Sequence, residues 1–333
     1  GANTPAPIMA EYKHQPYWWL SEFKSEGGGS IVYHPGEVPR TSDGKLPPEL
    51  EKFTITPKAP DGVAEKWTLQ AHILSNKLLR EANRVQVLAI GDTFEAWQGS
   101  NMGISCEEGS DCELASMVVR KEFEDIPGFY PSAIIGDQME NLLWRIIHTA
   151  GFAKVNPRVC VINIGTMDLV AKKAPKEVGA ALRVILKALQ NRMRSTVFLV
   201  TAILPRADDV LGRKKEDRHN PKNQKTSISF TKSHYHKKIE EANEIMEKVT
   251  KEVSASPDNK VMHSPPVYFL DCNANFLTPG KQDSRDIPRD LMPDMLHLSA
   301  AGHQKFAACI HTTVKLLLEK APLKLKSKRG KFF

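Results

Sequence analysis

Four short clusters carry the side chains that could do chemistry: Gly91-Asp92-Thr93, Gly136-Asp137, Gly165-Thr166-Met167-Asp168 and Asp294-Met295-Leu296-His297. Hydroxyl, carboxylate and imidazole are the groups of nucleophilic and acid–base catalysis. Other candidates are poorer. His234 and His236 have no accompanying carboxylate or cysteine set, so a polar loop is the better reading than a metal site. Cys106 and Cys112 lie six apart in an acidic, glycine-containing loop, too few ligands for zinc, and read as free thiols or as a loop-closing pair. Ser100 and Ser105 do not sit at strand-end turns. No metal or cofactor is expected.

The clusters gain meaning from the elements before them. Val63 to Asn83 reads as an amphipathic helix, with Trp67, Leu74 and Leu78 among its apolar positions. Val85 to Ile90 is an apolar strand ending at Gly91, Ser132 to Ile135 a second ending at Gly136, and Arg158 to Ile164 a third ending at Gly165. Helices over Gln138–Thr149, Lys176–Arg194 and Lys237–Val253 alternate with strands over Thr196–Ile203 and Val267–Asp271, and a long helix from Ser299 to Lys320 closes the series. Continuously apolar strands alternating with helices predict a parallel sheet covered on both faces. Such sheets place their sites at the C-terminal strand ends, where these clusters fall. Ser100–Pro131 and Arg206–Ser233 read as surface insertions.

The order of the clusters resembles the SGNH (GDSL) hydrolases, whose blocks read Gly-Asp-Ser, Gly, Gly-x-Asn-Asp and Asp-x-x-His. It is most similar to the alpha subunits of the intracellular platelet-activating-factor acetylhydrolases. Trp67, Leu143-Trp144-Arg145, Ile164-Gly165-Thr166, Leu204-Pro205-Arg206 and His297-Leu298-Ser299-Ala300-Ala301-Gly302 carry that similarity over residues 62–320. The resemblance implies an α/β, flavodoxin-like SGNH three-layer sandwich on a parallel five-stranded sheet. It also implies that the first-block residue attacks an ester carbonyl, that His297 takes its proton, and that Asp294 orients His297. The nucleophile position holds Thr93 instead of serine, and β-branching restricts its χ1. Of the family's oxyanion donors, the backbone of Thr93 and Gly136 remain, whereas the asparagine position is Met167, which has no N–H to give. Asn163 lies on the order of 13 Å back along the strand, too far to substitute. Asp92 is expected to cap or brace the turn after the first strand. Asp294 and His297 read either as a working dyad or as a surviving pair that pins the last helix.

Composition bounds the rest. The chain has 333 residues, 41% hydrophobic and 26% charged, which excludes a wholly disordered, collagen-like or coiled-coil protein. No apolar run reaches the roughly 18 residues of a membrane span. Residues 1–61 hold nine of the 22 prolines together with Tyr12, Tyr17, Trp18, Trp19, Phe23, Tyr33 and Phe53, and read as an extended arm that packs onto its own domain or a partner. Net charge is +7, concentrated between Arg206 and Lys238 and in the tail after Lys320, where Lys324, Lys326, Lys328, Arg329 and Lys331 occur without an acidic residue. Five scattered cysteines predict an intracellular, reducing setting, with Cys160, Cys272 and Cys309 as buried thiols. A start at Gly1 instead of Met fits a processed mitochondrial or plastid precursor or an expression scar.

Two readings of function follow. The first is a catalytically impaired hydrolase-like subunit of a larger assembly. Its partners would be protein subunits, with RNA reached through Arg213–Lys238 and Lys324–Lys331. The second is a slow acyl esterase using Thr93, His297 and Asp294. The resemblance also implies a homodimer.

Overall fold

The computed structural model describes residues 64–101, 104–211, 226–255, 266–280 and 284–320. The expected arm, the basic tail and the basic run 212–225 lie outside them.

Helix α1 (Ala64–Glu81) leads into β1 (Val87–Gly91), a 3-10 turn (Thr93–Gln98), and a short hairpin of β2 (Ser100–Asn101) and β3 (Ile104–Ser105). There follow α2 (Asp111–Glu122), β4 (Phe129–Ala133), α3 (Met139–His148), α4 (Ala150–Lys154), β5 (Val159–Asn163), α5 (Thr166–Val170), α6 (Pro175–Arg192) and β6 (Val197–Thr201). The chain continues with β7 (Ser227–Ser229), α7 (His236–Ala255), β8 (Val267–Leu270), β9 (Thr278–Pro279), β10 (Arg285–Pro288) and α8 (Ala300–Lys320).

Strands β4, β1, β5, β6 and β8 form a five-stranded sheet in that order, and every pairing is parallel. Every residue of β1, β5 and β6 is buried, which is why these segments read as unbroken apolar runs. Helices α3, α6 and α7 pack in one row, and α2 packs on α8. The strand order reverses at β1, which has β4 on one side and β5 on the other. A crevice therefore opens above β1 at the carboxyl ends of the strands.

Three differences from the sequence reading have physical causes. The second strand lies at Phe129–Ala133, ahead of the expected Ser132–Ile135. Pro131 argues against a central strand, but β4 pairs with β1 alone and is an edge, where proline is tolerated. The presumed insertion Ser100–Pro131 contains α2, which buries Ala115, Ser116 and Val119 and is part of the packed domain. Its N-cap, Ser110, accepts a bond from the Glu113 N–H. The presumed insertion after Arg206 supplies β7, which joins β10 and β9 in a small antiparallel sheet.

The cysteines also differ. Cys106 and Cys112 are bonded, as the loop-closing alternative requires, and Cys160 is a buried free thiol. Cys272 and Cys309, expected as thiols, form a second disulfide. The partners come from the loop after β8 and from α8, 37 residues apart in sequence, a pairing that apolar context alone cannot reveal.

Candidate active site

Gly91 pairs level with both Ala133 and Asn163, so β1, β4 and β5 release their loops side by side. Gly91 has φ +133°, and a Cβ there would lie 1.7 Å from the Asn163 carbonyl oxygen. Only glycine lets the two backbones meet so closely. The next N–H, of Asp92, donates to that same carbonyl at 3.2 Å.

Asp92 caps the 3-10 turn, as expected, and does so in a way that bears on chemistry. Its Oδ1 accepts both the Thr93 N–H at 2.6 Å and the Thr93 hydroxyl at 3.1 Å. Burial pushes the Asp92 carboxyl up to about 7 against the pull of those two bonds, with the Asp137 and Asp168 charges adding to the rise.

After β4 the chain turns at Gly136, whose φ of +84° places it in the left-handed region. Both neighbours of Gly136 are tied down. The Ile135 N–H donates to Glu95 Oε2 at 2.5 Å, and Glu95 Oε1 accepts from Gln70 Nε2 at 2.7 Å. Asp137 accepts from Trp67 Nε1 and from Arg145 Nη1, each at 2.6 Å, while Arg145 Nη2 reaches the Ser132 carbonyl at 2.6 Å. Asp137 and Arg145 are fully buried. Burial raises Asp137 to about 6, and its two donors keep it an anion at neutral pH. Trp67 and Arg145, marked by the family resemblance, thus brace the Gly136 turn. Glu95 was not legible: it lies between Phe94 and Trp97, and only the fold brings it to Ile135.

After β5, Met167 falls in α5 and not on the preceding strand. Asn163 is turned away, donating to Thr201 Oγ1 at 2.7 Å. Asp168 is buried, accepts from the Met139 N–H at 3.0 Å and from Lys173 Nζ at 2.9 Å, and holds the start of α3. After β6, Arg206 grips Asp208 through Nε and Nη2 at 2.7 and 2.8 Å and stacks over the Tyr235 ring at 4.2 Å.

The loop before α8 supplies the Asp294–His297 pair. His297 Nδ1 lies 2.7 Å from Asp294 Oδ2, and Asp294 Oδ1 accepts the N–H groups of Leu296 and His297. Both side chains are exposed. The Asp294 bond holds the His297 pKa above its ordinary value despite some burial. Asp294 is correspondingly low: burial pushes it up, but the bonds from His297 prevail and hold it at about 2.

Asp92, Thr93, Gly136, Met167, Arg206 and His297 line one cavity of about 290 Å³. Asp294 is absent from its wall and reaches it through His297. His234 bonds Asp209 and His236 meets Glu240 and Arg285, both away from this cavity. Among the described residues no group of three or more His, Cys, Asp or Glu is arranged to hold a metal ion. Chemically, the cavity offers a hydroxyl, an imidazole oriented by a carboxylate, and the Gly136 N–H.

A parallel α/β sheet whose strand-end cavity carries these groups has a hydrolase-like fold. The profile of the GDSL-like lipase/acylhydrolase family matches residues 72–310, and the chain belongs to that family. Solved structures similar to it include a provisionally assigned platelet activating factor from Streptococcus pneumonia. That protein is 17% identical with a TM-score of 0.48, over 76% of this chain and 96% of the other. A provisionally assigned acylhydrolase from Bacteroides fragilis is 14% identical with a TM-score of 0.47, over 78% and 99%. A carbohydrate esterase family 3 protein from Talaromyces cellulolyticus is 14% identical with a TM-score of 0.44, over 72% and 100%. Among curated proteins, none matches.

Proposed function

We propose that this chain is a catalytically impaired member of the acylhydrolase family that binds acyl groups in its cavity and acts as an interaction subunit of a larger assembly. The observation that carries the proposal is the double hold of Asp92 on Thr93. Attack requires the hydroxyl proton to pass to His297, and the oxyanion that forms requires N–H donors. In this arrangement the hydroxyl points at Asp92, the Thr93 N–H is already committed, and the Met167 side chain has no N–H to offer in place of the family's asparagine. Each missing oxyanion donor costs about 100- to 1000-fold in rate. With Gly136 as the one uncommitted donor of the three family positions, hydrolysis is expected to fall by roughly 10⁴-fold or more from that of a complete site.

Support for the subunit role comes from the sequence: the proline- and aromatic-rich segment 1–61 and the basic stretches suited to a polyanion. Deleting Pro322–Phe333 should weaken binding to a polyanion such as RNA chiefly at low salt. An unchanged salt profile would remove the polyanion part of the proposal.

A second reading is favoured by the intact 2.7 Å bond between Asp294 and His297. In a slow esterase, Thr93 Oγ would bond to the acyl carbon as its proton moves to His297 Nε2. The C–O bond to the alcohol would break as His297 returns the proton to it, and water would release the acid by the same route. Hydrolysis of p-nitrophenyl acetate separates the two. The proposal expects a rate unchanged by His297→Ala, whereas a rate that His297→Ala abolishes supports the esterase.

A further inference from the structure

One polar side chain on the cavity wall takes no part in the Asp294–His297 pair. His303 lies in the first turn of α8, is 6% exposed, and lines the same cavity as Thr93. Its Nδ1 is 3.0 Å from Nε1 of Trp97, a side chain buried in the 3-10 turn after β1. An indole nitrogen only donates. Nδ1 must therefore be the bare, accepting nitrogen, and the ring hydrogen must sit on Nε2. Nε2 meets no hydrogen-bond partner among the described residues. Burial, helped by the neighbouring His297 charge, lowers the His303 pKa to about 4, so the ring is neutral at ordinary pH.

We infer that His303, fixed in its Nε2–H tautomer by Trp97, donates a hydrogen bond to the carbonyl oxygen of an acyl compound, or to the oxygen of its carboxylate, bound beside Thr93. The ring can only donate from Nε2, so the atom it meets must be an acceptor. A cavity of about 290 Å³ suits a short acyl group. With no N–H on the Met167 side chain, His303 joins the Gly136 N–H as a neutral donor within reach of such an oxygen. This inference rests on the reading of the cavity as an acyl site, but not on whether turnover is fast or slow.

The test observes the imidazole itself. In ¹⁵N-labelled full chain, His303 should show the Nε2–H tautomer, and its Nε2 signal should move on addition of acetate, of the ketone 4-phenyl-2-butanone, or of both. Acetate alone identifies a carboxylate site, the ketone alone a carbonyl site, and a response to both identifies the shared oxygen. A Trp97→Phe variant should mix the tautomers. His303→Phe should weaken the effective probe by about 3- to 10-fold, the worth of one neutral hydrogen bond, while His303→Gln, which keeps an N–H, should stay within about 3-fold. Each readout is binding to the folded chain, which separates this claim from any claim about turnover. A native His303 signal that ignores both probes, or an Nδ1–H tautomer, overturns the inference, and the native chain alone gives that answer if His303→Phe does not fold.

Discussion

The double substitution Thr93→Ser with Met167→Asn should bring back measurable ester hydrolysis. Three family positions supply oxyanion donors. In this chain the Thr93 N–H is held by Asp92 at 2.6 Å, the Met167 side chain has no donor, and Gly136 alone remains uncommitted among the three family groups. The Met167→Asn change would add a side-chain N–H from α5, whose second residue lines the cavity. One such donor is worth about 100- to 1000-fold, roughly 3–4 kcal/mol of transition-state stabilisation. Removing the γ-methyl of Thr93 frees χ1 and lets the hydroxyl leave Asp92 for His297. Thr93 and Met167 are both only partly buried, so the double variant should fold. The predicted kcat/KM for p-nitrophenyl acetate is about 100- to 1000-fold above native, and most of that gain should disappear on adding His297→Ala. A folded double variant that hydrolyses no faster than the native chain would refute the donor-loss reasoning and point to the pocket's shape instead.

Other consequences are equally open to measurement. Restored hydrolysis needs neutral His297, and Asp294 raises that pKa, so activity should rise with pH through a midpoint above 6.5. Asp294→Asn should move the midpoint down while lowering the rate. Arg145→Met would strand the buried Asp137 carboxylate and cost about 3–5 kcal/mol in denaturant titration. Because a stranded carboxyl is tolerated when protonated, its pKa would rise further above the ordinary 3.8, and the loss should be larger at pH 8 than at pH 5. Reducing the Cys272–Cys309 bond, which spans 37 residues, should remove about 2–4 kcal/mol, seen as a lower Tm with reductant.

The legible parts of this fold are those that local pattern determines. β1, β5 and β6 are buried on both faces, so their apolar runs identify them unaided. Gly91 and Gly136 mark turns for a reason visible in the backbone, and Asp92 caps as a residue before a helical turn should. What depends on distant partners was not legible. Pro131 reads as a breaker until β4 is known to be an edge. Glu95 reads as an isolated charge until Ile135 and Gln70 are placed beside it. His303 reads as one more helix residue until Trp97 arrives from 206 positions away. The pairing of Cys272 with Cys309 is of the same kind.

The central claim is that the cavity is assembled while its nucleophile is held out of use. Fluorophosphonate labelling of the native full chain, read by mass spectrometry of the Thr93 peptide, tests it most directly. The account predicts no adduct on Thr93 under conditions that label the double variant Thr93→Ser, Met167→Asn at the same position. Stoichiometric modification of native Thr93, lost in His297→Ala, would contradict it.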